Sequence, residues 1–389
     1  EGTSSFASGF NTSASGTGSS ASGVNAFAAG VGATASGTNV RAEGTSSSAT
    51  GVNTSASGTG ATASGANSFA VGVGAIASGT NVRAEGTSSS ASGVNTSASG
   101  PGAKALGVNS FAQGVSALAN GTNTQASGAN ARAIGFNAMA QGVNAVAEGR
   151  NVIAIGTGAR ALGYNTNVVA IGTNAFANGT SVVAIGELSR AQSSYATALG
   201  FNSSAIASNS IALGPSSNAA AERSAAIGSG AYARHYAATA LGDDAVTTKD
   251  HQISLGTKKS PYYLPGLANP RSGFVNDKYQ EIGEKRFVTS DVKGNLGTST
   301  FSVDELLDTV SAVGALSASL GAIPQTTLLP EENLRCGIGT GVYGNQFAGA
   351  FGCAVKMQER FFLNAGLAST PTNTLGGPLM GRIGFSFGF

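Results

Sequence analysis

Ser181-Val182-Val183-Ala184-Ile185-Gly186 alternates cleanly: Val183 and Ile185 share one face, Val182 and Ala184 the other, and a glycine closes the run. The same ending, Ala-Ile/Leu-Gly or Ser-Leu-Gly, returns at Gly200, Gly214, Gly228, Gly242 and Gly256, a strict period of fourteen. Toward the N-terminus the period halves. Glycine stands at every seventh position from Gly2 to Gly163, with alanine two residues before each one from Ala7 to Ala161. Asparagine often follows two residues after, as in Asn11, Asn25, Asn39, Asn53 and Asn67. Between the two regimes Gly163 and Gly172 are nine apart, which reads as a two-residue insertion around Asn165–Asn167. A longer echo is present too, since Thr38–Ser48 recurs as Thr80–Ser90, a duplication six halves long.

Glycine at each seventh residue is costly in a helix, about 1 kcal/mol per occurrence relative to alanine. In a strand-turn unit it is an asset, because glycine and asparagine accept the positive φ that tight turns need. Two strands and two turns per fourteen residues make one coil of a flattened parallel β-roll. Coils stacked at about 4.8 Å give residues 1–256 a length of roughly 85 Å. The alanines stack into a thin ladder, so self-association along the length is the expected way to bury more surface. The repeats read either as a rigid spacer or as a ligand-binding head. Phe6, Phe27, Phe69 and Phe111 read as packing residues, and Arg41 with Glu43, like Arg83 with Glu85, as a solvated pair.

Composition agrees with a repetitive fibre. The 389 residues include 58 glycines but only 9 prolines, and charged residues make up 10%. That balance excludes collagen and a charge-extended disordered tail. A net charge of +2 with no basic cluster offers nothing to nucleic acid. No run of about 20 apolar residues supplies a transmembrane helix. Glu1 opens directly into a repeat, as expected of a mature form or a fragment.

Past Gly256 the repeat stops. Residues 257–301 hold Pro261, Pro265 and Pro270 and form a neck or connector of unread fold. Ser302-Val303-Asp304-Glu305 is a capping box that opens a helix over 302–323, ended by Pro324. Val303, Leu306, Val310, Val313, Ser317 and Leu320 follow the spacing of a coiled-coil seam. A helix this short is marginal alone, so something must surround it.

Residues 324–389 supply the surround as four alternating runs of membrane-strand length. Ile338, Phe347, Phe351, Phe361, Leu363, Phe385, Phe387 and Phe389 fall on a bulky apolar face suited to lipid. Gly337, Gly339, Ala348, Ala350, Gly352, Gly366, Gly384 and Gly388 fall on the other face, small enough for a filled lumen. Four strands cannot close a barrel, and an open edge is not tolerated in hydrocarbon. The barrel must be shared: two copies give eight strands, filled by side chains, and three give twelve, with room for three helices. A trimer is favoured. Gly344-Asn345 suits a two-residue hairpin, which sets Cys336 opposite Cys353. A cross-strand disulfide and two free thiols packing as small hydrophobes both fit that placement.

The fourteen-residue A-I-G/A-L-G repeats resemble the head repeats of trimeric autotransporter adhesins of the YadA-like group. The capped helix followed by four strands ending Gly384-Phe385-Ser386-Phe387-Gly388-Phe389 is similar to that family's membrane anchor, and Phe287–Gly297 to its connectors. The resemblance implies an all-β homotrimer with a short coiled-coil helix: a left-handed parallel β-roll head and a twelve-stranded transmembrane β-barrel built by three chains. It also implies export of the head through or with that anchor, contact with outer-membrane lipid and the barrel-assembly machinery, and attachment to host matrix protein, glycan or other cells. This chain departs from the pattern in having almost no stalk, and in carrying Ser or Thr in early repeats where Val and Ile are expected.

No enzyme is expected. His235 and His251 are the only histidines, and neither lies in a metal spacing or beside a nucleophile signature. Asp243-Asp244 reads as a polar turn, and Gly16-Thr17-Gly18 belongs to the repeat, so no cofactor or metal is expected. The rival readings are a passive structural surface fibre, a phage-type fibre, and a Ser/Thr-lined solenoid that orders water or ice.

Overall fold

Every long strand in the repeat region finds its hydrogen-bonding partner one coil away, because each coil presents the next with the same residues. Ser20 pairs with Thr34, Ala21 with Ala35 and Gly23 with Gly37, parallel and fourteen residues apart. The computed structural model describes residues 2–163, 167–260, 286–292, 295–323, 328, 331–371 and 378–387. Two compact units divide the chain, Glu1–Tyr263 and Leu264–Phe389.

The first unit is a parallel β-solenoid. The predicted alternation places Val182 and Ala184 inward and leaves Val183 and Ile185 half-buried on the outside. The core is a stack of alanines, such as Ala21, Ala35, Ala49 and Ala63 on one strand and Ala28, Ala42, Ala56 and Ala70 on the other. Corner positions admit more volume and take Val40, Val82, Val152, Val168 and Val182. In early coils Thr54 and Thr96 occupy those same corners, and Ser19 and Ser47 the corner that elsewhere holds Ala33, Ala61 and Ala75; all four are buried and their hydroxyls have no hydrogen-bond partner. Ser68 and Ser110 fare better, each donating to two backbone carbonyls. The pairing jumps from fourteen to sixteen at Val152–Val168, where two residues are inserted. Of that insertion, residues 164–166 lie outside the described residues.

Turn chemistry explains the glycine column. Gly107 adopts φ +119°, and a Cβ there would stand 2.1 Å from the Gly121 carbonyl oxygen. Asparagine two residues on takes the left-handed region, φ +53° at Asn25 and +57° at Asn39. That conformation aims each amide along the stack. From Asn11 to Asn137 one asparagine in each coil donates its Nδ2 to the Oδ1 of the asparagine fourteen residues later, at 2.9 to 3.2 Å.

Asn81→Ala removes a left-handed residue and both of its ladder bonds, an expected local cost of about 2 kcal/mol. Hydrogen exchange should accelerate over Ile76–Ala84 and Ser90–Val94 and stay unchanged several coils away, since a solenoid couples only nearest neighbours. Unchanged protection over both strands would refute a stabilising ladder.

In the second unit, Arg286–Ser290 and Leu296–Ser302 form an antiparallel pair. Helix α1, Val303–Gly321, begins where Ser302 Oγ accepts the Glu305 amide at 3.0 Å. Four strands follow as an antiparallel meander: β1 Leu334–Tyr343, β2 Gln346–Gln358, β3 Phe361–Ser369 and β4 Leu379–Phe387. The β1–β2 turn is the two-residue Gly344-Asn345, with φ +56° at Gly344. Pro261, Pro265, Pro270 and Pro324, like Gly388 and Phe389, lie outside the described residues. No helix among the described residues is long and apolar enough to cross a membrane.

Candidate functional site

One face of the meander is nearly bare of side chains, and α1 lies on it. A Cβ on Gly339 would stand 2.3 Å from the Ser319 carbonyl oxygen, and one on Gly341 2.3 Å from that of Ala315. Helix backbone therefore rests directly on strand backbone, a closeness only glycine permits. The helix contributes small Ala312, Ala315 and Ser319 with Leu316 and Leu320 beside them, all buried. With Ile323 they close a core against Ala348, Ala350 and Ala368. Gly352 and Gly366 sit under Ile323, whose methyls would meet a Cβ at 2.9 and 3.0 Å. Gly337 and Gly384 are half-covered on the same face.

The opposite face is bulky and open. Ile338 is 81% exposed, and Phe347, Phe351, Phe385 and Phe387 are exposed beside it. Cross-strand rows continue the apolar surface, with Ile338 beside Phe351 and Leu367, and Val355 beside Leu363 and Phe385. Phe361 packs on Phe385 and Phe387 at ring distances of 6.0 and 5.1 Å. Cys336 and Cys353 lie directly opposite each other on this face and are joined as a disulfide, which selects between the two arrangements open from sequence. Edges β1 and β4 have no partner among the described residues.

The predicted seam residues divide between two environments. Val310 and Val313 are exposed on the side of α1 away from the sheet, Val303 and Leu306 are half-buried, and Leu320 turns into the sheet core. Gly341 and Ala368, on the small face by the same alternation as Gly339 and Gly366, are buried under the helix as well. One contributor escaped the sequence reading. Arg382, whose Nη2 donates to the Ile323 carbonyl oxygen at 3.4 Å, has no sequence signal, because its role depends on where the helix ends.

On the solenoid, two outward columns stand out. Residues 155, 171, 185, 199, 213, 227, 241 and 255 stack in register as an unbroken Ile/Leu column. In the earlier coils the same column holds Glu43 and Glu85, each paired with Arg41 or Arg83 on its own strand. Arg41 also lies over the Phe27 ring, 5.4 Å from its centroid. The other face of the early coils carries hydroxyls in register: Ser20, Thr34, Ser48 and Thr62, beside Ser22, Ser36, Thr50 and Ser64.

Comparison with known proteins places both units. The model of the YadA head domain repeat matches in eleven segments that together cover residues 1–40, 42–89, 91–159 and 169–231, and the model of the YadA-like membrane anchor domain matches residues 327–389. Among solved structures, the collagen-binding domain of the Yersinia adhesin YadA is similar at 24% identity, over 54% of this chain and 73% of that one, with a TM-score of 0.15. No curated protein matches. Head repeats over more than half the chain, followed by the anchor, show that this protein belongs to the YadA-like trimeric autotransporter adhesins, with an outer-membrane anchor that displays the head at the cell surface.

Proposed function

We propose that three copies of this chain close a twelve-stranded outer-membrane barrel, export their heads with it, and hold them outside for attachment to host matrix, cells or surfaces. The observation that carries the reading is the anchor sheet: two unpaired edges, one bulky apolar face and one glycine face occupied by a helix. An edge open to hydrocarbon leaves backbone polar groups unsatisfied, so β1 of one copy pairs with β4 of the next. Ile338, Phe347, Phe351, Phe361, Leu363, Phe385 and Phe387 then meet lipid, and the glycine face lines the lumen. Val310 and Val313 turn toward the other two helices, forming the seam. The Ile/Leu column over residues 155–255 supports a head joined by the same threefold association. Residues 1–256 serve as head, 257–301 as connector, 302–323 as lumen helix and 324–389 as anchor, inserted by the barrel-assembly machinery.

The test compares cells displaying the full chain with cells displaying the chain lacking Glu1–Gly256, on collagen, fibronectin and glycan-coated surfaces. Attachment should fall to the background of non-expressing cells on at least one surface. Equal attachment by both strains would reject adhesion. The in-register hydroxyl columns favour one second reading, an ordered water surface of the kind that binds ice: neighbouring hydroxyls repeat at about 4.8 Å between coils and about 6.7 Å along a strand. Thermal hysteresis of the full protein in detergent, together with no attachment, would transfer the function to that face.

A further inference from the structure

Cys336 and Cys353 occupy the wrong face for a bond made after assembly. They share it with Ile338, Val342, Phe347 and Phe351, the face that meets lipid on the reading above. Thiol–disulfide exchange proceeds through a thiolate. An isolated anion is costly in hydrocarbon, and water-soluble oxidants and reductants do not enter it. The bond must therefore form while the chain is still in water.

The local sequence supplies a reason for such a bond. Hairpin register is set by the turn and by side chains that fit only one alignment, and a glycine-rich strand leaves it to the Gly344-Asn345 turn alone. On its inner face the middle of β1 offers only Gly337, Gly339 and Gly341, between Arg335 and Tyr343, with no side chain over that stretch to lodge between those of β2. A two-residue slip would set Cys336 opposite Phe351 or Val355, and a one-residue slip would send it to the other face. Only the observed register, Tyr343 with Gln346 through Cys336 with Cys353, allows the sulfurs to join.

We infer that Cys336–Cys353 is a modification site of the unassembled chain, closed by a dithiol–disulfide oxidase partner in the oxidising space between the two membranes, and that it locks the first anchor hairpin in register before the barrel forms. The reaction balances within that pair. One cysteine thiolate attacks the partner's disulfide, giving a mixed disulfide and releasing one partner thiolate. The second cysteine then displaces the other partner sulfur, so the hairpin is oxidised by two electrons and the partner leaves as a dithiol. The separation of 17 residues keeps the two thiols within easy reach on a chain that has not yet folded. Bilayer insertion afterwards shields the bond from reductant.

The experiment uses the full chain in Gram-negative cells with and without their thiol-oxidising enzyme, alongside a C336S/C353S variant and a C336A/C353V variant that keeps the face apolar. Alkylation of denatured, unreduced protein with a mass-tagged maleimide reads free thiols, and surface antibody labelling reads display. Wild type from normal cells should take up no tag. In oxidase-deficient cells it should take up two tags per chain and lose display several-fold, whereas both thiol-free variants should display equally in the two strains. Two tags on displayed wild-type protein from normal cells would overturn the inference, as would equal sensitivity of wild type and both variants to loss of the oxidase. Recovery of a heat-modifiable oligomer from the outer-membrane fraction tests the anchor reading separately.

Discussion

Gly341→Val is expected to abolish display of the head. The new Cβ would lie 2.3 Å from the Ala315 carbonyl oxygen and 2.4 Å from the Ser319 amide nitrogen. Both are helix backbone, so no side-chain rotation relieves the clash. Either α1 lifts off the sheet, opening the core around Leu316, Leu320 and Ile323, or β1 bows outward and loses ladder bonds to β2. Overpacking a tight core usually costs about 1–3 kcal/mol, and a backbone contact falls at or above the top of that range. In the proposed trimer the defect occurs at each of three seams in one ring. Heat-modifiable oligomer in the outer-membrane fraction and protease-accessible head on whole cells should both fall below detection. Thr340→Val, one residue away on the open face, should leave both signals intact. Wild-type display of Gly341→Val would mean that the helix does not occupy this position in the assembled anchor.

Gly107→Val is expected to cut the head in two without unfolding either half. The residue combines φ +119°, hostile to a β-branched side chain, with a neighbouring carbonyl oxygen 2.1 Å from the new Cβ. Backbone strain of this kind costs about 1–3 kcal/mol, and parting the coils adds about 1 kcal/mol for each ladder bond lost. Because coils stabilise only their neighbours, the damage stays local. Limited trypsin digestion should then nick at Lys104, exposed three residues earlier on the same strand, leaving two resistant fragments. Gly102→Ala, two residues from the same Lys104, is the matched control: its φ is +67° and the added carbon meets nothing nearer than the Ser116 hydroxyl at 3.4 Å. There the cost is about 1–2 kcal/mol of left-handed strain alone, and no nick should appear. A resistant, uncut Gly107→Val head would refute the stacking geometry.

The parts legible in the sequence were those written as periods. Alanine two residues before each glycine placed the inward column, and Gly344-Asn345 placed Cys336 opposite Cys353. The rest depended on contacts between coils or between elements. Ser and Thr stand on both sides of the early strands, so nothing in their identity told that Thr54 and Thr96 turn inward while Thr34 turns out. Seam spacing in α1 drew the eye to its larger residues. The stripe that meets the sheet is mostly Ala and Ser, chosen to match strand glycines far along the chain, and only the docked pair reveals that match. The asparagines two residues after glycine were visible as turn formers, but their hydrogen-bonded ladder emerges only when the coils stack.

That ladder and the glycine column share one property: each coil offers its successor the same surface that it received. A stretch of whole coils can therefore be gained or lost without inventing a contact. Thr38–Ser48 and Thr80–Ser90 are nearly identical segments three coils apart, and recombination between such copies would lengthen or shorten the head by about 14 Å per event. Reach beyond neighbouring surface polysaccharide thus becomes a heritable quantity that a population can vary in fixed steps, while the anchor and every remaining coil stay as they were.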